Sequence, residues 1–253
     1  MTASGAHGRP RSFTLALWLW GISMATSLTA HVASTLPGPS TGAGEFSSWL
    51  RRTRIAHVDD TGVDVPCGEC DACCRSSYFI HIGPAETQTL ARIPEELQFA
   101  APGLLEGNVV LGYDEKGRCP MLCDDGCSIY EQRPLTCRTY DCRVYAAAGI
   151  AADRASITQR ARRWEFSYPT EDDRHQHTAV QDAARFLQEH AECFPGGAVP
   201  DDPAQVAILA IKVCGVFLTC DDSGGTGRVS PAPEVAKAVV EANEEFQARR
   251  DTS

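Results

Sequence analysis

Two stretches decide how this chain is read: Cys67–Cys74, CGECDACC, and Cys119–Cys142, CPMLCDDGCSIYEQRPLTCRTYDC. They hold nine of the 12 cysteines: Cys67, Cys70, Cys73, Cys74, Cys119, Cys123, Cys127, Cys137 and Cys142. In the first stretch, two-residue gaps separate Cys67, Cys70 and Cys73. A gap of that length lets both thiolates of one turn reach a single ion, as in zinc knuckles and iron–sulfur loops. Cys73 and Cys74 are neighbours and cannot easily point the same way, so one is free to ligate while the other serves a second ion or packs in the core. In the second stretch, Cys119 and Cys127 end a tight loop with Cys123 at its middle, and Cys137 and Cys142 follow about one helical turn apart. Such clustering means a disulfide framework or a metal site, and compartment decides between them. Arg118, Arg133, Arg138 and Arg143 lie within a few residues of these cysteines and are candidate donors to an anionic centre.

The chain on the N-terminal side bears on compartment. Arg9 and Arg11 precede the apolar run Phe13–Met24, and Ala25, Ser27 and Ala30 follow, which resembles a secretory signal. The run is too short to span a bilayer as a helix. The competing reading starts translation at Met24 and keeps the thiols in the cytoplasm. Disulfide scaffolds usually serve chains too small to hold a core; with 253 residues this chain is not small. The expectation is therefore a cytoplasmic protein, with export as the alternative. Residues 34–45 (STLPGPSTGAGE) have the composition of a flexible linker, which places the start of the folded part near Phe46.

From there the spacing predicts a helix over Phe46–Ala56, a strand in Ser76–Ile82 and a short helix from Pro84 to Leu90. A strand over Asn108–Tyr113 is expected to turn at DEKG and pair with Cys119–Leu122, with a third short strand at Ser128–Tyr130. Pro134 opens a helix carrying Cys137 and Cys142. Helical spacing then recurs near Ile157–Phe166, Glu171–His190, Pro203–Thr219 and Pro233–Arg249. Val206–Leu218 is the most apolar of these, but its length and Lys212 make it a buried helix, not a membrane span. The expected fold class is α+β. It comprises an N-terminal segment (1–45), a small cysteine-rich, metal-held module with short strands (46–150), and a mainly helical part (151–253) packed on it.

A net charge of −10 argues against a nucleic-acid partner. His81 reads as a strand histidine satisfied by backbone, His175 and His177 as solvent-facing, and Cys193 and Cys214 as core residues. Cys214 and Cys220 would pair only in an oxidising setting. Neither paired carboxylates, nor a Ser/His/Asp set, nor a phosphate loop stands out.

Over Pro66–Arg143 the sequence resembles the cysteine-cluster family called CxxCxxCC, or YkgJ-like, described as zinc- or iron-chelating domains. CGECDACC and the run CSIYEQRPLTCR carry the resemblance. Matched position by position, the resemblance implies Cys67, Cys70, Cys73, Cys74, Cys119, Cys127, Cys137 and Cys142 as ligands, with Cys123 extra to the pattern. The expected function is chelation of zinc or iron, an iron–sulfur cluster included, with eight thiolates over one or two sites. The alternatives are a metal-dependent enzyme modifying a protein or small molecule, and an exported disulfide-rich binding module.

Overall fold

The computed structural model describes residues 40–59, 62–63, 65–68, 70–194, 199–218 and 232–251. The signal-like run, the alternative start at Met24, and Cys220 lie outside these residues. Thr41–Glu45 (β1), which composition assigned to a linker, is a strand pairing in parallel with Trp164–Ser167. Its glycines serve a bulge: the register shifts between Gly42 and Gly44, Gly44 has φ +94°, and Ala43 between them is buried. Helix α1 (Phe46–Val58) follows directly and buries Phe46, Trp49, Leu50, Thr53 and Ala56, the stripe that 3.6-residue periodicity requires.

The chain then passes through the first cysteine group, with a 3-10 turn at Cys73–Arg75, into a small sheet. Strands β2 (Ile80–Ile82), β3 (Gln98–Ala100) and β4 (Val109–Leu111) form this antiparallel sheet, in the order β2-β4-β3. Helix α2 (Thr87–Leu90) lies between β2 and β3 in sequence. The predicted pairing of 108–113 with 119–122 is not formed. The turn between β3 and β4 closes instead, with Gly103 and Gly107 at positive φ and the Ala101 N–H bonded to the Asn108 carbonyl. Beyond β4, Asp114 accepts from the N–H groups of Lys116 and Arg118 and turns the chain away. That turn is held against Ser77, whose N–H donates to the Gly117 carbonyl at 3.0 Å. A Cβ on Gly117 would stand 2.3 Å from the Ser77 hydroxyl. The second cysteine stretch opens with the two-residue strands β5 (Leu122–Cys123) and β6 (Gly126–Cys127). The third strand expected at Ser128–Tyr130 is replaced by a 3-10 turn over Tyr130–Gln132.

Helix α3 (Leu135–Thr139) carries Cys137 but stops before Cys142, which sits at the N-cap of α4 (Arg143–Ala148). The helix expected near Ile157–Phe166 divides into α5 (Ala155–Ala161) and a strand, β7 (Trp164–Ser167). Trp164 and Phe166 are buried and Glu165 and Ser167 exposed, so a period of two wins over the helical reading. Helix α6 (Glu171–Glu189) starts in a capping box between Thr170 and Asp173. Helix α7 (Pro203–Val213) has Pro203 in its first turn and Asp202 as N-cap, and α8 (Ala232–Asp251) completes the order. The fold is α+β, and its C-terminal part is helical.

Two apolar cores result. The larger is built by α1, α4, β7, α6, α7 and α8, around Phe46, Trp49, Tyr145, Val180, Leu187, Ile211 and Val239. The smaller lies on the three-stranded sheet and consists of Ile82, Ile93, Leu111 and Ile129. Helix α7 buries Val206, Ala207, Ala210, Ile211 and Val213, and no helix among the described residues is long and apolar enough to cross a membrane.

Candidate metal centre

Two consecutive residues organise the cysteines. The 3-10 turn at Cys73 sends the Cys73 and Cys74 side chains to different neighbourhoods. Burial raises the Cys73 thiol well above its ordinary range, and Cys142, Cys67 and Cys70, in that order, push it further. Burial likewise lifts Cys74 to about 12, but its strongest charged neighbours are Cys119 and Cys127. Cys137 is pushed up to about 12 by burial and then by Cys74, Cys119 and Cys127. Cys142 reaches about 11 through burial, with Asp141, Cys67 and Cys70 adding to it and a hydrogen bond from Trp164 opposing. By their strongest neighbours the eight thiols divide into two groups of four, with weaker coupling across the seam between Cys73 and Cys74 and between Cys74 and Cys70. The inner group is Cys67, Cys70, Cys73 and Cys142, and the outer group is Cys74, Cys119, Cys127 and Cys137.

Each group rests on its own core. Cys142 is 5% exposed and belongs to the larger core, with Cys67 and Cys73 packed against it. Cys119 and Cys127 pack on the smaller core. The backbone fixes the seam between groups, because the Cys119 N–H donates to the Cys74 carbonyl at 2.7 Å. In the first stretch the Cys70 N–H closes a turn on the Cys67 carbonyl at 3.1 Å. All eleven described cysteines are free thiols.

The polar surroundings differ between the groups. Around the inner group, Trp164 Nε1 donates to Cys142 Sγ at 3.1 Å. The Arg160 guanidinium lies over the Trp164 ring at 4.2 Å, and its charge favours the Cys67 thiolate. Asp141, buried, accepts from Trp49 Nε1 at 3.0 Å and pairs with Arg143 at 2.8 Å, which binds the cysteine segment to α1. Around the outer group, burial raises Cys119, while the N–H groups of Met121 and Leu122 favour its thiolate. The Arg133 charge favours the Cys137 thiolate.

Of the arginines the sequence singled out, Arg133 acts on a thiol, Arg143 is committed to Asp141, and Arg118 pairs with Asp114. Trp164 and Arg160 were missed because both lie beyond the cysteine stretches; the alternation of Trp164 and Phe166 was the available signal. Cys123 is exposed, donates to the Gly126 carbonyl and joins neither group. His81 Nε2 is hydrogen-bonded to Asn108 Oδ1 at 2.9 Å. His175 is exposed, but His177 is not the solvent-facing residue expected. It stacks on Phe46 at 4.3 Å and bonds the Tyr168 hydroxyl, and burial lowers its pKa. Cys214 is buried as expected, whereas Cys193 is only partly buried, beside Glu192.

The donor set suits a thiolate-bound metal. Four thiols packed together resist ionising one another, and a cation among them reverses that penalty by stabilising the thiolates. Among the described residues, His190, Glu192 and Cys193 are the trio of candidate donors drawn to within 4.8 Å of one another. No three sulfurs of either group lie that close to one another.

Residues 66–172 match the model of the CxxCxxCC family, described as a putative zinc- or iron-chelating domain. The matched segment extends past the cysteines to take in Arg160, Trp164 and the start of α6. No curated protein and no solved structure matches the chain.

Proposed function

We propose that the chain chelates metal in two separate four-thiolate centres, an inner one on Cys67, Cys70, Cys73 and Cys142 and an outer one on Cys74, Cys119, Cys127 and Cys137. The observation that carries this reading is the packing of Cys67, Cys73 and Cys142 on the larger core and of Cys119 and Cys127 on the smaller one, with the Cys119 N–H bonded to the Cys74 carbonyl at 2.7 Å between them. Four thiolates complete a tetrahedral coordination shell, so the centres serve structure or electron transfer and leave no position for a substrate. That favours a binding or redox protein over a metal-dependent enzyme.

The spacing of the sulfurs bears on which metal. Around one zinc ion, thiolate sulfurs lie roughly 3.8 Å apart, as bonds of about 2.3 Å require. No three sulfurs of a group lie within 4.8 Å of one another, which leaves room for a polynuclear iron–sulfur cluster in each group. Such a cluster would supply one-electron transfer. Trp164 donating to Cys142, and Met121 and Leu122 donating to Cys119, would tune it. Free thiols at this density fit a reducing compartment, and we place the protein in the cytoplasm.

The test is iron, sulfide and zinc analysis of anaerobically purified chain, with visible absorption. Iron and sulfide in equal amounts, with a broad brown absorbance halved by Cys142→Ser or by Cys127→Ser, is the expected result. Two colourless zinc ions per chain would keep the two centres and remove the clusters. A variant of one group that loses all the metal at once would overturn the division.

A further inference from the structure

Among the described residues, the one tight trio of donors lies at the C-terminal end of α6 and includes none of the eight grouped thiols. His190 caps that helix, its N–H on the Phe186 carbonyl and its ring against Phe186 at 4.8 Å. A 3-10 turn over Ala191–Cys193 follows at once, and the Cys193 N–H returns to the His190 carbonyl at 2.9 Å. This turn brings three side chains of different chemistry onto one point. His190 Nδ1 stands 3.7 Å from Glu192 Oε1, Cys193 Sγ stands 3.8 Å from the same oxygen, and all three atoms lie within 4.8 Å of one another.

Ligands at bond lengths of about 2.0–2.3 Å around a tetrahedral ion stand roughly 3.3–3.8 Å apart. Two of the spacings here fall at the upper end of that range without any ion to impose them. The backbone turn and the Phe186 contact hold the His190 ring and the Cys193 backbone in place before a ligand arrives, which lowers the entropic cost of binding. The Cys193 thiol donates to Glu192 Oε1, and a divalent cation bound by both would take the place of that proton. Mixed imidazole, carboxylate and thiolate donors suit a borderline cation such as zinc, cobalt or nickel, and disfavour magnesium and calcium.

We propose that His190, Glu192 and Cys193 form a third, surface metal site that takes a borderline divalent cation through Nδ1, Oε1 and Sγ. Three protein ligands leave a fourth position for water or for a donor from a partner molecule. This site is exposed and open, whereas the two thiol groups are closed, so it exchanges metal with solution and does not depend on the reading of the eight cysteines.

The test uses full-length chain with its resident metal in place, kept reduced with a non-thiol reductant and titrated with Co2+. Bound cobalt is measured by equilibrium dialysis, and the thiolate-to-cobalt charge-transfer band is followed in the near ultraviolet. One cobalt per chain above the resident metal is expected, displaced by Zn2+ and not by Mg2+. Cys193→Ser should abolish the band, and His190→Ala, which removes a ligand outright, should weaken binding by at least about 100-fold, the upper scale for losing a mere supporting partner. Both residues sit at the surface, so circular dichroism and resident metal content should be unchanged. No cobalt beyond the resident metal in the wild type, or equal band and affinity in Cys193→Ser, would overturn the proposal. Either result leaves the metal content of the eight-cysteine groups unaltered, so the two readings fail separately.

Discussion

The inner and outer thiol groups are made of the same four side chains and differ in what stands behind them. The inner group is fastened to the larger core through Cys142, Trp164 and the Asp141–Trp49 bond, all contributed by elements that also carry the helices. The outer group is seated on four small-core residues and held by tight turns of its own stretch. What this teaches is that ligand identity sets chemistry while the backing sets robustness. The inner group is backed by the core that the helices build, whereas Cys119 and Cys127 of the outer group are backed by the smaller core.

The largest expected effect separates the two. Cys142→Ser and Cys127→Ser should each remove about half of the bound metal, since a four-ligand site does not survive the loss of one thiolate at comparable affinity. Under chelator challenge the outer centre should empty first. Metal analysis of both variants and of a chelation time course checks this, and equal rates at the two centres would break the comparison.

Next in size is Asp141→Ala. It leaves Arg143 buried without its partner, a type of change that costs about 3–5 kcal/mol, and it frees Trp49 Nε1. Thermal denaturation should show that loss, with metal retained in the outer group and weakened in the inner. Trp164→Phe is milder. It removes one N–H···S bond from a nearly isosteric ring, worth about 1 kcal/mol net. The inner centre's spectrum or potential should shift while the outer centre's stays put, which a purely structural role for Trp164 would not produce.

The effect with the narrowest reach is confined to the helical part and leaves both thiol groups untouched. Asp173 accepts from the N–H and hydroxyl of both Ser47 and Thr170, joining the starts of α1 and α6, and these bonds hold its carboxyl well below the usual carboxylate range. Its contribution is present above the unfolded value of about 4 and is lost as pH falls toward the lowered one. Asp173→Asn should be less stable at neutral pH and should lack that acid-dependent loss. Urea midpoints measured across the acid range decide it.

Much of the metal region was legible because cysteine spacing is a local signal. Nothing but the adjacency of Cys73 and Cys74 was needed to anticipate that they serve different neighbours. Which cysteine joined which neighbour was not legible, since Cys142 and Cys137 reach different groups through a break between α3 and α4 that no residue announces. The helices α1, α6 and α7 could be read from their apolar stripes and caps. The strands were harder. The glycines of β1 carry linker composition, and their pairing partner lies beyond the whole cysteine region, where no local pattern can point to it. The pairing of β4 was missed for a similar reason. DEKG looks like a hairpin turn, but Asp114 and Ser77 use it to redirect the chain toward Cys74.

The parallel pairing of β1 with β7 bears on the order in which this protein is made. Synthesis releases β1 first and β7 only after every one of the nine clustered cysteines. Until Trp164 and its neighbours emerge, β1 is an unpaired edge, and the inner group lacks the indole that donates to Cys142. The β5–β6 hairpin and the small sheet, by contrast, close over short distances, and short loops form early. All four cysteines of the outer group therefore emerge before the strand that carries Trp164, and the inner group is the one whose surroundings depend on the later half of the chain.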